Sequence, residues 1–201
     1  MTRITLAGAV ENAPEFSHKT CGEKFYSFNL ITSRKSGTVD IIHCIISEIY
    51  AKDIDAGDEI KVIGEIRTRS YGGEGVKRHL DINVFIREVL PYEHHDVNLV
   101  EIQGNTCKEA VYRETQLGRK ISDIIIASNR EMHNKSDYIP CIAWGRNAIR
   151  TACMEVGTNV SVVGRFQSRE YIKRFPDGTE ETRTAYEVSI GKIYVVEETE
   201  E

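Results

Sequence analysis

Aromatic and basic residues alternate along residues 165–175, which read RFQSREYIKRF. Tyr171 and Phe175 lie among the cations Arg165, Arg169 and Lys173. Cations of this kind contact phosphates, and exposed rings stack on unpaired bases. The pattern therefore favours contact with a single strand of nucleic acid. The alternative is that the rings cover a core while the charges solvate an exposed ribbon.

These residues need a long hairpin to position them. Val160, Val162 and Phe166 alternate with polar residues or glycine, as in a half-buried strand. Residues 176–178, Pro-Asp-Gly, predict a turn, because proline presets φ and glycine accepts a positive φ. Residues 183–190 then resume a strand, so the hairpin carries its cations and rings toward a turn.

The same stretch occurs twice in the chain. Residues 55–71, DAGDEIKVIGEIRTRSY, align without a gap on residues 155–171, EVGTNVSVVGRFQSREY. Gly64 matches Gly164, Tyr71 matches Tyr171, and the apolar positions between them stay in register. The chain is therefore an internal duplication of two units, each of about one hundred residues.

Each unit predicts five strands with a short helix between the third and the fourth. This order is typical of the OB-fold, a five-stranded Greek-key barrel that binds oligonucleotides or oligosaccharides. We therefore predict an all-β protein of two tandem OB-folds, with a longer helix in the second unit. The predicted division is a first OB-fold at 1–90, a linker at 91–97, a second OB-fold at 98–196 and a short acidic tail at 197–201.

Composition bounds the functional classes. The net charge is −5, but residues 97–196 hold 14 basic and 12 acidic residues and are therefore basic by two charges. Phosphate binding requires a local track of basic residues and does not require a positive net charge of the whole protein. No apolar run approaches the roughly 20 residues that span a bilayer, and the N-terminus lacks a signal-peptide pattern. No membrane partner is expected.

The five cysteines include no CxxC pair, so we predict neither a metal site nor a disulfide framework, and a cytoplasmic location. Cys44 and Cys141 fall at equivalent repeat positions within apolar strands and are predicted to lie in the core. No phosphate-binding loop, dinucleotide fingerprint or metalloprotease motif is present. The sequence predicts no cofactor and no enzyme.

The second unit resembles the bacterial single-stranded DNA-binding proteins, the SSB family. The segments that carry the resemblance are NLVEIQGN at 98–105, ASNRE at 127–131, DYIPCIAWGRNA at 137–148, GTNVSVVGRFQSREY at 157–171 and TAYEV at 184–188. The resemblance covers residues 98–190, and it implies sequence-independent binding and protection of single-stranded DNA. It also implies that Tyr138, Trp144 and Tyr171 are base-stacking rings. Phe175 is expected to be a further ring. The cations expected to contact phosphates are Arg130, Arg146, Arg165, Arg169, Lys173 and Arg174.

The first unit departs from this pattern, because Ile41 and Ser47 stand where the second unit has Tyr138 and Trp144. We expect the second barrel to carry most of the affinity. The first unit is expected to contribute the basic and aromatic residues Arg34, Lys35, Arg67, Arg69, Tyr71, Lys77 and Arg78, or to serve mainly in assembly.

The resemblance also bears on partners. The family usually assembles four OB-folds, which a chain with two would reach as a homodimer, with the edges of each first strand as expected interface elements. The tail at 197–201 lacks the acidic-hydrophobic tip that recruits partner proteins in the family. A phage or mobile-element version of the family, with its own partners, would explain this difference. The alternative functions are an OB-fold scaffold that mainly binds proteins and a single-stranded RNA binder.

Overall fold

The computed structural model describes residues 1–71, 79–130, 135–175 and 178–196, and within them the chain forms twelve strands and two short helices. Lys77 and Arg78, the first two residues of the predicted turn at 176–178, and the acidic tail at 197–201 lie outside the described residues.

The first unit is a closed barrel. Its elements are β1 (Thr2–Val10), β2 (Glu15–Thr20), β3 (Glu23–Ser33), β4 (Val39–Ser47), α1 (Glu48–Ala51), β5 (Glu59–Tyr71) and β6 (His79–Pro91). β1 pairs with both β3 and β5, β3 pairs with β4, and β5 pairs with β6. A short parallel pairing of β4 with β6 closes the ring.

The second unit repeats this topology. Its elements are β7 (Val97–Thr106), β8 (Val111–Glu114), β9 (Lys120–Asn129), β10 (Ser136–Trp144), α2 (Arg146–Ala152), β11 (Asn159–Arg174) and β12 (Glu180–Val195). β10 and β12 again make the one parallel pairing among the described strands of this unit. With seven residues against four, α2 is longer than α1, as predicted.

Each unit has one strand that the sequence did not predict. β2 pairs with β3 around the turn at Cys21 and Gly22, and β8 pairs with β9. All residues of β2 and β8 are exposed, so neither has the alternation of buried and exposed positions that reveals a strand in a sequence. These strands extend the barrels at their edges without changing the predicted order.

The repeated glycines mark a repeated irregularity. A β-bulge lies between Ile63 and Gly64 in the first unit and between Val163 and Gly164 in the second. A Cβ atom at Gly64 would overlap the carbonyl oxygen of Phe85. One at Gly164 would overlap a carbonyl oxygen in the same way. Only glycine permits this approach, so the matched pair in the sequence reflects a shared backbone shape.

The two barrels join through their first strands. β1 and β7 pair in antiparallel fashion, with Ile4 opposite Val100 near the middle of the ladder. Since β1 is also bonded to β5, and β7 to β11, both edges of each first strand are occupied within the chain. The prediction that these edges form an interface between copies is therefore wrong.

The cores lie inside the barrels and meet at this shared ladder. Ile4 and Leu6 pack with Val62 and Ile66 in the first unit, and β7 and β11 supply the corresponding residues of the second. Cys44 and Cys141 are both fully buried, which confirms their predicted place in the core. Burial raises the pKa of both thiols well above the usual range for cysteine.

Candidate nucleic-acid interface

The outer face of β10 presents two of the predicted rings. Ile139, Cys141 and Ala143 point into the core, so Tyr138 and Trp144 share the opposite face. Tyr138 is 52% exposed and Trp144 is 41% exposed. Both rings are therefore available to a ligand.

Trp144 lies in a groove of about 700 Å³, the second groove, between β10 and the hairpin of β11 and β12. Arg165 and Arg169 line the same groove, and Pro140 and Ile142 give it an apolar floor. The groove brings the Trp144 ring together with Arg165 and Arg169 on one surface, which is the arrangement that a stacked base and its phosphate require.

The β11–β12 hairpin extends this surface toward its tip. The alternation of a strand places Arg169, Tyr171 and Lys173 on one side of β11, and Phe175 follows directly after the strand. The Arg169 guanidinium lies 5.9 Å from the centre of the Tyr171 ring, and Lys173 Nζ lies 4.7 Å from that of Phe175. Cations and rings thus alternate along the hairpin.

Arg165 has an unused donor. Its Nη2 donates to Gln167 Oε1 at 3.2 Å, and Gln167 in turn donates to Glu187. Its Nε is buried and has no hydrogen-bond partner in the described structure. Because the partner of Nη2 is a neutral amide and not a carboxylate, a phosphate oxygen in the groove would satisfy both the unpaired N–H and the charge of Arg165.

Arg174, Arg146 and Lys35 are predicted cations that do not line the second groove. Arg174 is exposed and donates from Nε to Glu180 Oε1 at 2.8 Å near the hairpin tip. Arg146 is exposed at the first residue of α2, two residues after Trp144. Lys35 is exposed in the turn that follows β3, in the first unit.

Arg34 and Arg130 are engaged differently from the prediction. Arg130 donates from Nε to Asp137 Oδ2 at 2.7 Å and from Nη2 to Asp137 Oδ1 at 2.6 Å. Arg34 forms the same two-bond pair with Asp40. Both aspartates are buried, and their hydrogen bonds raise the pKa of each guanidinium. Each arginine is thereby largely neutralised by the structure itself.

The same two aspartates bind the opposite unit. Asp40 accepts from the backbone N–H of Ser168 at 3.0 Å, and Asp137 accepts from that of Thr68 at 2.6 Å. We call these contacts the Asp40 bridge and the Asp137 bridge. Sequence reasoning missed them, although Asp40 and Asp137 occupy equivalent places in strands that are otherwise apolar.

The first unit has its own groove, the first groove, of about 600 Å³. Arg67, Arg69 and Tyr71 line it, and the Arg69 guanidinium lies 4.7 Å from the Tyr71 ring centre. Each groove is also lined by one arginine of the other unit: Arg34 lines the second groove, and Arg130 lines the first. The two grooves are thus related but differ in their rings.

The described residues include no helix long and apolar enough to cross a membrane. They also include no cluster of three or more histidine, cysteine or acidic side chains that would hold a metal ion.

Comparisons with known proteins bear on this surface. The model of the Single-strand binding protein family matches residues 97–196. Single-stranded DNA-binding protein B of Bacillus subtilis (strain 168) is 34% identical over 80 residues, which cover 37% of this chain and 71% of the relative. Single-stranded DNA-binding protein 3 of Streptococcus agalactiae serotype V is 30% identical over 81 residues, which cover 37% of this chain and 59% of the relative.

Solved structures show a similar fold over the whole chain. The wild-type single-stranded DNA binding protein from Thermus aquaticus matches with a TM-score of 0.79 at 17% identity, covering 100% of this chain and 95% of that one. A deletion mutant of that protein matches with a TM-score of 0.78 at 18% identity, covering 100% and 97%. This likeness confirms the predicted all-β class with OB-folds in tandem.

Proposed function

Because this chain belongs to the single-strand binding protein family, we propose that it binds single-stranded DNA without sequence preference. The role is to cover and protect DNA strands that are unpaired during replication, recombination or repair. The observation that carries the proposal is the convergence of Trp144, Arg165 and Arg169 on one groove. Stacking tolerates every base, because each base presents a π-face.

The rings and cations have separate tasks in this proposal. Bases stack on the rings of Tyr138, Trp144, Tyr171 and Phe175. Phosphates follow the cations Arg165, Arg169, Lys173, Arg174 and Arg146. Arg34 and Arg130 instead hold the two units together through the buried aspartates, and each forms part of the wall of the opposite groove.

The two units divide the labour. We assign the main platform to the second OB-fold, 98–196, and a lesser one to the first, 1–90, with 91–97 as the linker between them. Exposed Tyr71 with Arg69, together with Arg67 and Lys35, forms the first unit's contribution. Ile41 in place of Tyr138 and Ser47 in place of Trp144 remove two of the proposed stacking rings from the first unit.

Assembly and location follow the family. We propose a homodimer that brings four OB-folds together in the cytoplasm, as a nucleoid-associated or a phage or mobile-element protein that binds without catalysis. Any interface between copies must use a surface other than the edges of β1 and β7, because these are paired within the chain. Light scattering tests the assembly: a mass of two chains supports it, and a monomer refutes it.

The test of function is fluorescence anisotropy with labelled oligo(dT), its duplex form with oligo(dA), and oligo(rU), at low and moderate salt. We expect tight, salt-dependent binding to oligo(dT) and weak binding to the duplex. Stacking and phosphate contacts hardly sense a 2′-hydroxyl, so only tighter binding to oligo(rU) than to oligo(dT) would support the RNA alternative. Self-association without binding to any strand would leave the scaffold alternative.

A further inference from the structure

Four side chains form a closed cluster beside the first groove, which we call the Glu65 cluster: Glu65, Arg67, Phe85 and Arg87. Glu65 Oε1 accepts from Arg87 Nε at 2.9 Å. Glu65 Oε2 accepts from Arg87 Nη2 at 3.3 Å and from Arg67 Nη2 at 3.4 Å. Both guanidinium groups also lie against the ring of Phe85, at 3.5 Å for Arg67 and 4.9 Å for Arg87. One carboxylate and one ring thus hold two arginines.

Arg67 and Phe85 both line the first groove, and Arg67 lies on the same strand as Arg69 and Tyr71. Its side chain is 19% exposed, and its Nε is buried without a hydrogen-bond partner. Burial lowers the pKa of Arg67, and the opposing effect of Glu65 does not offset it. The guanidinium is therefore folded onto Phe85 and Glu65 instead of extending into the groove as a free cation.

The second unit has a different set of residues at the same places. Arg165 stands where the first unit has Glu65, so the charge is reversed at this position of the repeat. Ser189 and Gly191 stand where the first unit has Phe85 and Arg87, as the registers of the two hairpins show. Gln167 stands where the first unit has Arg67, so the second unit has no counterpart of the Glu65 cluster.

We propose that Glu65 is the residue that weakens the first groove's hold on single-stranded DNA, by keeping Arg67 paired within the cluster. This inference rests on the proposed function. It explains the unequal contributions of the two units to binding by a charge as well as by missing rings. A phosphate entering the first groove meets a cation that already has a carboxylate partner. The first groove is thus a weaker version of the second.

The test is the full-length variant Glu65→Gln, which keeps the shape of the side chain and removes its charge. The probe is labelled oligo(dT) of about 30 nucleotides, long enough for two OB-folds at ~4–16 nucleotides each. One released phosphate contact steepens the salt dependence of log K by about 0.7 and raises the affinity about five-fold at about 0.1 M salt. An unchanged slope and affinity would overturn the inference.

The matched control is Glu93→Gln, which also removes a carboxylate from an ion pair, with Lys61 at 2.9 Å, outside both grooves. We expect less than half of the Glu65→Gln effect on log K, and equal effects would overturn the inference. Adding Arg67→Gln to Glu65→Gln should remove the gain, and persistence of the gain would overturn the role of Arg67. Phe85→Leu tests the cluster without a charge change and should also raise affinity.

The outcomes separate this inference from the proposed function. Absence of wild-type binding to oligo(dT) would refute both. Wild-type binding with no difference between Glu65→Gln and Glu93→Gln would refute the role of Glu65 alone. Circular dichroism melts identify any variant that fails to fold, and Phe85→Leu then provides the deciding measurement.

Discussion

Replacing Trp144 by alanine removes the ring that lines the second groove. Each base stacked on such a ring contributes roughly 1–3 kcal/mol, and the stack tolerates any sequence. At about 1.4 kcal/mol per factor of ten, the Kd for oligo(dT) should rise between about five-fold and about 150-fold. Trp144→Phe should keep most of the affinity, since it preserves an aromatic face.

The fold should survive this change. Trp144 is 41% exposed at the end of β10, whereas Phe166 is fully buried. Truncating a buried ring such as Phe166 costs about 3–5 kcal/mol, and a ring that is already partly in water costs less. Urea unfolding should therefore show a small loss of stability for Trp144→Ala.

The assay is anisotropy of labelled oligo(dT), with unfolding measured in parallel. Tyr112→Ala is the matched control, because Tyr112 is also 41% exposed but does not line the second groove. Tyr112 lies on β8, and its neighbours Val111 and Arg113 do line the groove. An unchanged Kd in Trp144→Ala, or an equal loss in Tyr112→Ala, would refute the stacking assignment. Unfolding of Trp144→Ala would indicate that the ring is needed for packing of the fold and not for stacking on bases.

Three further predictions address charge and stability. Arg169→Gln should reduce the salt slope of log K for oligo(dT) by about 0.7, the value of one phosphate contact on a single strand, and an unchanged slope would contradict its place in the track. Asp137→Asn should lower the free energy of unfolding by about 3 kcal/mol, since it leaves the Arg130 guanidinium without its buried charged partner. A midpoint of urea unfolding equal to that of the wild type would contradict the Asp137 bridge. Burial alone would raise the pKa of Asp96, but hydrogen bonds, chiefly from Ser33, more than offset it and hold the pKa below its usual value. This group therefore contributes stability above the ordinary carboxyl pKa, and the contribution is lost as pH falls through its lowered pKa. Asp96→Asn should flatten the acid limb of the stability curve, and an unchanged limb would contradict this.

The repeat was the part of the fold that the sequence could predict best. Gly64 and Gly164 mark matched bulges, and Cys44 and Cys141 are matched core residues, because barrel interiors constrain local patterns. β2 escaped prediction because water surrounds all its side chains, so no apolar alternation identifies it.

The site was predictable in its rings and less so in its cations. Tyr138 and Trp144 are exposed on one face of β10, as the period of a strand predicts. The engagement of Arg34 and Arg130 depends on buried aspartates and on backbone groups of the opposite unit. The Asp40 bridge and the Asp137 bridge join residues 128 and 69 positions apart in the chain, so no local spacing encodes them.

Trp144 is the one tryptophan in the sequence, so its fluorescence reports on the second groove alone. The most direct test is titration of this fluorescence with oligo(dT) at low and moderate salt. We predict strong quenching that saturates with binding and weakens steeply as salt rises. A flat Trp144 signal, while anisotropy shows the oligonucleotide fully bound, would contradict the claim that bases stack in this groove.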